Sequence, residues 1–257
     1  MKRFDLMLAS AWCLLGLAVA APVRADDAPG FDRPGIAFGT DTLPRGGIAW
    51  EQGLPDASWD NSEGVRTRTW VADTLLRFGL AETVELQLGA DSYGGVRRRG
   101  LGARTSQHGG GDGRLGLKWV PSTGGDAFSV GVLATASLPV GQAPVGDGGH
   151  VYDLGITAAW DLRNDRSVAL YLDRSWGDGG GWLFSPSYGF QVSERVAGYV
   201  EAGIGSGAQR QRVAGGGLTW AATPRLQFDV SFLRGLDADS VDWQAGVGMA
   251  LYFAPRR

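Results

Sequence analysis

The fold class this sequence predicts is all-β, closed as a single antiparallel transmembrane barrel of about twelve strands, and three observations carry it. Apolar and polar residues alternate at period two through a dozen stretches. The connections between those stretches alternate between short and long. Glycine supplies 42 of 257 residues with no collagen-like period. That content costs a helix about 1 kcal/mol per site but is tolerated at turns, bulges and close backbone approaches.

Ahead of the first stretch, Met1 to Ala25 has a basic start (Lys2, Arg3) and an apolar run from Leu6 to Ala21. It reads as a cleaved signal peptide, cut after Ala25, with Ala20 or Ala21 as the competing sites. Its apolar run is shorter than the ~20 residues of a membrane-spanning helix, and no later stretch approaches that length. The one cysteine, Cys13, leaves with it. Removing three basic residues and one acidic residue takes the net charge from −3 to −5, which argues against nucleic-acid partners. Lys118 is then the only lysine. Residues 26–45, opening "DDAPGFDRPG", read as an N-terminal tail or partial plug, and 46–257 as the barrel.

The stretches follow in order. The first, 46–52, carries Glu51 and leads to the long connection Leu54 to Val65. Stretch 66–79 sets Asp73 and Arg77 opposite Phe78 and turns at 81–83. In 84–94, Glu85, Gln87, Gly89 and Asp91 interleave with an apolar face, and a long Gly- and Arg-rich connection, Gly95 to Gly110, follows. Stretch 111–120 sets Arg114 and Lys118 against Trp119 and turns at 121–126. Stretch 127–138 has Phe128, Val130, Val132, Ala134, Ala136 and Leu138 on one face, before the long connection Pro139 to Gly149. Stretch 150–162 sets Tyr152, Leu154, Ile156, Ala158, Trp160 and Leu162 against Asp153, Gly155, Thr157, Ala159 and Asp161. Stretches 166–176, 181–192, 195–205, 211–221 and 225–234 carry Asp173, Phe190, Glu201, Trp220 and Asp229 between short turns at 163–165, 193–195 and 222–224. The last, 241–253, ends its apolar face at Phe253. Short turns on one side and long connections on the other, over an even count, are the pattern of an outer-membrane barrel with both termini in the periplasm.

Alternation alone does not say which face is outside, since a soluble sandwich alternates too. Aromatic placement discriminates. Phe78, Trp119, Trp160, Phe190, Trp220 and Phe253 all end an apolar face beside a short turn or the terminus, where an interfacial girdle stands. The other face carries Glu51, Asp73, Arg77, Glu85, Asp91, Arg114, Lys118, Asp153, Asp173, Glu201 and Asp229. A dry sandwich interior would hold these only at great cost. They are the candidate lumen charges, with Arg77, Arg114 and Lys118 expected to face Glu85, Asp91, Asp153 and Glu201. They would set solute selectivity or brace the wall as salt bridges, or both. Twelve strands imply a narrow or partly plugged lumen.

Arg97, Arg98, Arg99 and Arg104 fall in an expected extracellular basic loop, where guanidinium groups could meet lipopolysaccharide phosphates or anionic solutes or stay solvated. An enzyme would need a base beside a nucleophile, and Ser106 with His108 is the only nominal pair, His150 having none. No catalytic residue, metal site or cofactor is expected. The glycine runs near 110 and 180 precede no helix that could cradle phosphate.

"GGGDGRLGLKWV" (109–120) followed by "VGVLATASLPVG" (130–141) resembles the "GDLxLGLKY … LPTG" pattern of the meta-pathway phenol-degradation family, outer-membrane proteins usually labelled transporters. "TDTLPRGGIAWEQG" (40–53) resembles its "LPxGxxxxExG", and "LLRFGLAETVELQLG" (75–89) its "LRYGLTDRLEL" hairpin. The likeness runs in the same order over most of the chain after the leader, and Glu51, Gly113, Gly116, Lys118, Pro139 and Gly141 match motif positions. The chain departs from the family in continuing four residues past Phe253, the aromatic that barrel-insertion machinery would read. The resemblance implies a barrel in outer-membrane lipid and lipopolysaccharide that passes small solutes, aromatic compounds among them, by diffusion. The alternatives are a structural or lipid-modifying barrel without a pore and a secreted soluble β protein.

Overall fold

The computed structural model describes residues 29–100, 102–123, 127–146 and 148–255. The expected signal peptide, its cleavage sites and Cys13 lie outside the described residues. Thirteen strands form: β1 (Ile48–Ser62), β2 (Val65–Ala81), β3 (Val84–Gly100), β4 (Ala103–Gly109), β5 (Gly113–Trp119), β6 (Phe128–Leu138), β7 (Val151–Leu162), β8 (Arg166–Gly177), β9 (Gly181–Ser193), β10 (Val196–Gly207), β11 (Gln211–Thr223), β12 (Leu226–Gly235) and β13 (Trp243–Phe253). Every pairing is antiparallel, and β1 pairs with both β2 and β13, so the sheet closes on itself. β4 and β5 pair with successive parts of β3, as two pieces of one barrel strand parted at Gly110–Asp112. The ring therefore has twelve strands, as the sequence predicts.

Two of the long connections are not loops. β1 runs on to Ser62 and turns into β2 through Glu63 and Gly64, both at positive φ. β3 continues to Gly100 and pairs with β4 from Gly94↔Gly109 to Gly100↔Ala103. The basic run Arg97–Arg99 and Arg104 thus stand on a β-hairpin, not in a loop. Pro and Asp in "LPDASWDN" suggest a break, but the chain absorbs Leu54 and Pro55 in a bulge between Gly53 and Asp56.

Burial is inverted relative to a soluble domain. Leu117, Trp119, Leu172 and Val247 are about half exposed, while Glu51, Arg77, Glu85 and Lys118 are fully buried. The apolar face is the outside of the ring. The expected aromatics stand at the short-turn end in cross-strand rows, Trp119↔Val84, Phe78↔Ile48↔Phe253 and Trp160↔Phe128. The structure adds a second outward belt at the other end: Trp59, Tyr152, Trp176, Trp182 and Trp243, with Trp59 opposite Trp243 and Tyr152 opposite Trp176. Along a strand the belts stand eight residues apart on β7 (Tyr152, Trp160) and ten on β13 (Trp243, Phe253). At ~3.3 Å per residue and ~40° tilt this is roughly 20–26 Å along the barrel axis, the height of a hydrocarbon band.

Residues 29–47 cross the bore. The Ile36 amide donates to Glu201 on β10 (2.8 Å), Thr40 meets Ser129 on β6 (2.7 Å), and Leu43 N–H donates to Glu85 on β3 (3.1 Å). Phe38 stands edge-on to Tyr171 of β8, centroids 5.6 Å apart, in a dent left by Gly131 and Gly155, where any Cβ would crowd its ring. At Gly79 a Cβ would run into the Pro44 carbonyl, so glycine admits the backbone there. Leu43, Ala49 and Tyr252, with Phe31 against them, form a small apolar cluster at the short-turn end.

Candidate functional site

Strand pleating aims alternate side chains into the bore, and the N-terminal segment brings charges of its own to meet them. Arg77 is at the centre. Its guanidinium forks onto Glu85 (Nε to Oε1 2.8 Å, Nη2 to Oε2 3.0 Å) and donates through Nη1 to Glu51 (2.9 Å) and the Gly30 carbonyl (3.0 Å). Lys118 Nζ donates to Asp32 (2.8 Å), lies 3.9 Å from Glu85 and sits 5.4 Å from the Phe38 ring centre. Glu51 in turn accepts the Asp32 and Arg33 amides at 3.1 and 2.8 Å. Burial alone would raise the Asp32 carboxyl, but Arg77 and Lys118 overcome it and hold Asp32 below the usual carboxylate range. Glu51 and Lys118, both family-motif positions, therefore meet in one dry network centred on Arg77 and completed by Asp32, a residue from outside the barrel wall.

A second cluster forms on Arg33. It forks onto Asp56 (2.9 and 3.1 Å), reaches Asp229 (3.3 Å) and lies 3.7 Å from Asp73. Burial works to lower its pKa, yet Asp56 and Asp229 raise it above the ordinary arginine value. Arg114, half exposed, bridges Asp73 (3.0 Å) and stands 3.9 Å from Asp91. Across the bore, Asp153 accepts hydroxyls from Thr135 (2.8 Å) and Ser175 (2.6 Å), and Asp173 accepts Gln209 Nε2 (2.8 Å).

The expected pairings are met in part. Arg77 and Lys118 meet Glu85, and Arg114 meets Asp91, but Asp153 and Glu201 meet hydroxyls and a backbone amide instead of wall cations. The sequence reading missed Asp32, Arg33 and Asp56. The first two lie in the tail and the third in a presumed loop, so no period marks them. Ser106 Oγ and His108 Nε2 are 3.5 Å apart on the outer face of the β3–β4 hairpin, where the imidazole stacks on Tyr93. His150 lies exposed before β7.

Two neighbouring cavities lie along the bore. One of about 690 Å³ lies between Asp32–Phe38 and the β1–β3 wall; the other, about 400 Å³, reaches Ala208–Gln211 at the long-hairpin rim. Leu133, Thr135 and Tyr171 line both. Six carboxylates and three arginines line the two cavities, a formal −3.

The profile of a family described as "Putative MetA-pathway of phenol degradation" matches residues 31–253. Among solved structures, an outer membrane channel from Pseudomonas putida F1 is similar over 86% of this chain and 99% of its own, at 15% identity and a TM-score of 0.65. The KdgM porin is similar over 80% and 99%, at 12% identity and a TM-score of 0.55. A second structure of that porin, described as in complex with disordered oligogalacturonate, has a TM-score of 0.54 at 11% identity. At these identities the likeness is one of fold. No curated protein matches the chain.

Proposed function

Since this chain belongs to the MetA-pathway phenol-degradation family, we propose that it is a narrow outer-membrane channel passing small solutes by diffusion. The observation that carries the proposal is the pair of cavities inside the ring, one beside the N-terminal segment and one at the long-hairpin rim, which share Leu133, Thr135 and Tyr171 in their lining. The segment acts as the constriction, because it spans the bore and is held by ion pairs and backbone hydrogen bonds. Carboxylates outnumber cations along the path, so cations are preferred and anions are resisted. Rings enter beside Tyr171, Phe38 and Leu183, which supports neutral aromatic compounds as passengers, in keeping with the family's label. Surrounding outer-membrane lipid is the natural solvent for the outward belts.

Reversal potentials in planar bilayers and liposome swelling test this reading. The expected results are a small conductance with cation preference, and faster passage of a neutral aromatic alcohol than of an aromatic acid of equal size. Folded, inserted protein that conducts no ions, or that prefers anions, would overturn it. The first result would favour the closed structural barrel.

A further inference from the structure

The outer face of the projecting β1–β4 sheet carries an arginine array that the channel does not use. Cross-strand register puts Trp59, Arg68, Arg97 and Ser106 in one row, and Asn61, Arg66, Arg99 and Arg104 in the next row toward the hairpin tips. Trp59 lies opposite Trp243, whose face is the lipid-facing one of β13, so both rows face outward, away from the bore. Arg98 alternates to the other face, in the row of Asp60, Thr67 and Thr105. Five guanidinium groups therefore stand on adjacent strands, with opposed Cβ atoms about 5 Å apart and rows about 7 Å apart.

Like charges directly opposite destabilise a sheet unless something neutralises them. The rim on the other side of the barrel does neutralise its own: Arg210 pairs with Asp239 (3.0 Å), Arg212 with Asp237 (3.5 Å) and Arg234 with Asp242 (3.9 Å). Among the described residues no carboxylate pairs with Arg66, Arg68, Arg97, Arg99 or Arg104, all of which are exposed. Anions from outside the chain would relieve this repulsion. Depth says from where: Arg68 and Arg97 share their row with a belt tryptophan, at the level where headgroups begin, and the other three stand one row above.

We propose that this array is a binding site for a lipid bearing clustered phosphates, the headgroup chemistry of lipopolysaccharide, seated in the leaflet against the outside of the β1–β4 sheet. Planar, bidentate guanidinium groups suit phosphate oxygens, and two phosphates on one headgroup would bridge the two rows. The site rests on the outer-membrane reading of the barrel and not on its conductance.

The test is native mass spectrometry of the detergent-solubilised protein after incubation with diphosphoryl lipid A or monophosphoryl lipid A. Wild type is expected to retain the diphosphoryl form preferentially. Combined Arg66→Ser, Arg99→Ser and Arg104→Ser substitutions should lower retention roughly tenfold, while Arg98→Ser, a neighbour on the opposite face, leaves it unchanged. Because the triple variant also loses internal repulsion, its heat-modifiable band should persist to equal or higher temperature without lipid, and Arg97→Ser alone serves as a milder second variant. Equal loss in Arg98→Ser, or undiminished retention in the triple variant, would overturn the site. Release of the lipid by inorganic phosphate at about 10 mM would assign the arginines to free phosphate instead. Failure of the barrel to enter bilayers would sink the membrane reading itself, whereas inserted barrels that conduct nothing yet hold the lipid would leave this site standing.

Discussion

Around Arg77 and around Asp153, one bore wall holds carboxylates in two different ways. Asp32, Glu51 and Glu85 are closed off from water and share two cations, one of them forked. Among the described residues Asp153 and Asp173 pair with no cation, only with hydroxyls and the Gln209 amide, and they border open cavity. A buried charge network demands every partner, and it returns specificity: it fixes residues 30–43 to one path across the bore. Hydroxyl-solvated carboxylates demand little and keep their field for whatever passes. Bracing and selectivity, alternatives when read from sequence, are in this reading divided between two sides of the same lumen.

Four experiments sharpen or break that division. Arg77→Met should have the largest effect, about 3–5 kcal/mol, because it strands Glu51 without a cation and leaves Glu85 only Lys118 at 3.9 Å. The temperature at which the heat-modifiable band is lost should fall steeply. Asp32→Asn should cost about 1–3 kcal/mol, felt mainly as looser docking of the segment, and limited proteolysis within residues 29–47 would report it. The same docking has a pH signature. Asp32 is held below its ordinary value of 3.8, so its contribution is complete above that value and is lost only as pH falls through the lower folded value. Protection from protease should therefore survive to about pH 4 and fail below it. If protection fails already at pH 5.5, other carboxylates anchor the segment.

Asp153→Asn combined with Asp173→Asn should shift stability by less than about 1 kcal/mol but reduce the cation-to-anion permeability ratio about twofold. A large loss of stability there would erase the contrast between the clusters. Smallest is Arg210→Ala: its pair with Asp239 is well exposed on both sides, and a change of at most about 0.5 kcal/mol is expected in the same thermal assay.

The parts legible in the sequence share one cause. Wherever a strand has lipid on one side and the bore on the other, the two faces differ in solvent and the residues alternate, so "FSVGVLATASL" and "WQAGVGMALYF" are readable as strands with their faces assigned. Beyond the bilayer both faces are wet and the signal vanishes. That is why "PDASWDNS" and "VRRRG" resemble loops although the ladder continues through them. Trp59 of the second aromatic belt hides for the same reason, because it stands where alternation fades. Partner choice is legible only when it is local. Glu85 and Lys118 face each other across neighbouring strands, but Arg33 meets Asp229 from 196 positions away, and nothing periodic announces such a meeting.

The spacing of the two tryptophan-bearing belts also fixes the host this barrel suits. Its greasy zone is shorter than the ~30 Å of an average bilayer, while bacterial outer membranes are thinner than average. In a thick, long-chain bilayer the surrounding acyl chains would have to compress against the wall, at fractions of a kcal/mol for each ångström of disagreement. Reconstitution yield should accordingly fall as phospholipid tails lengthen, sorting the protein toward thin membranes through acyl-chain length alone.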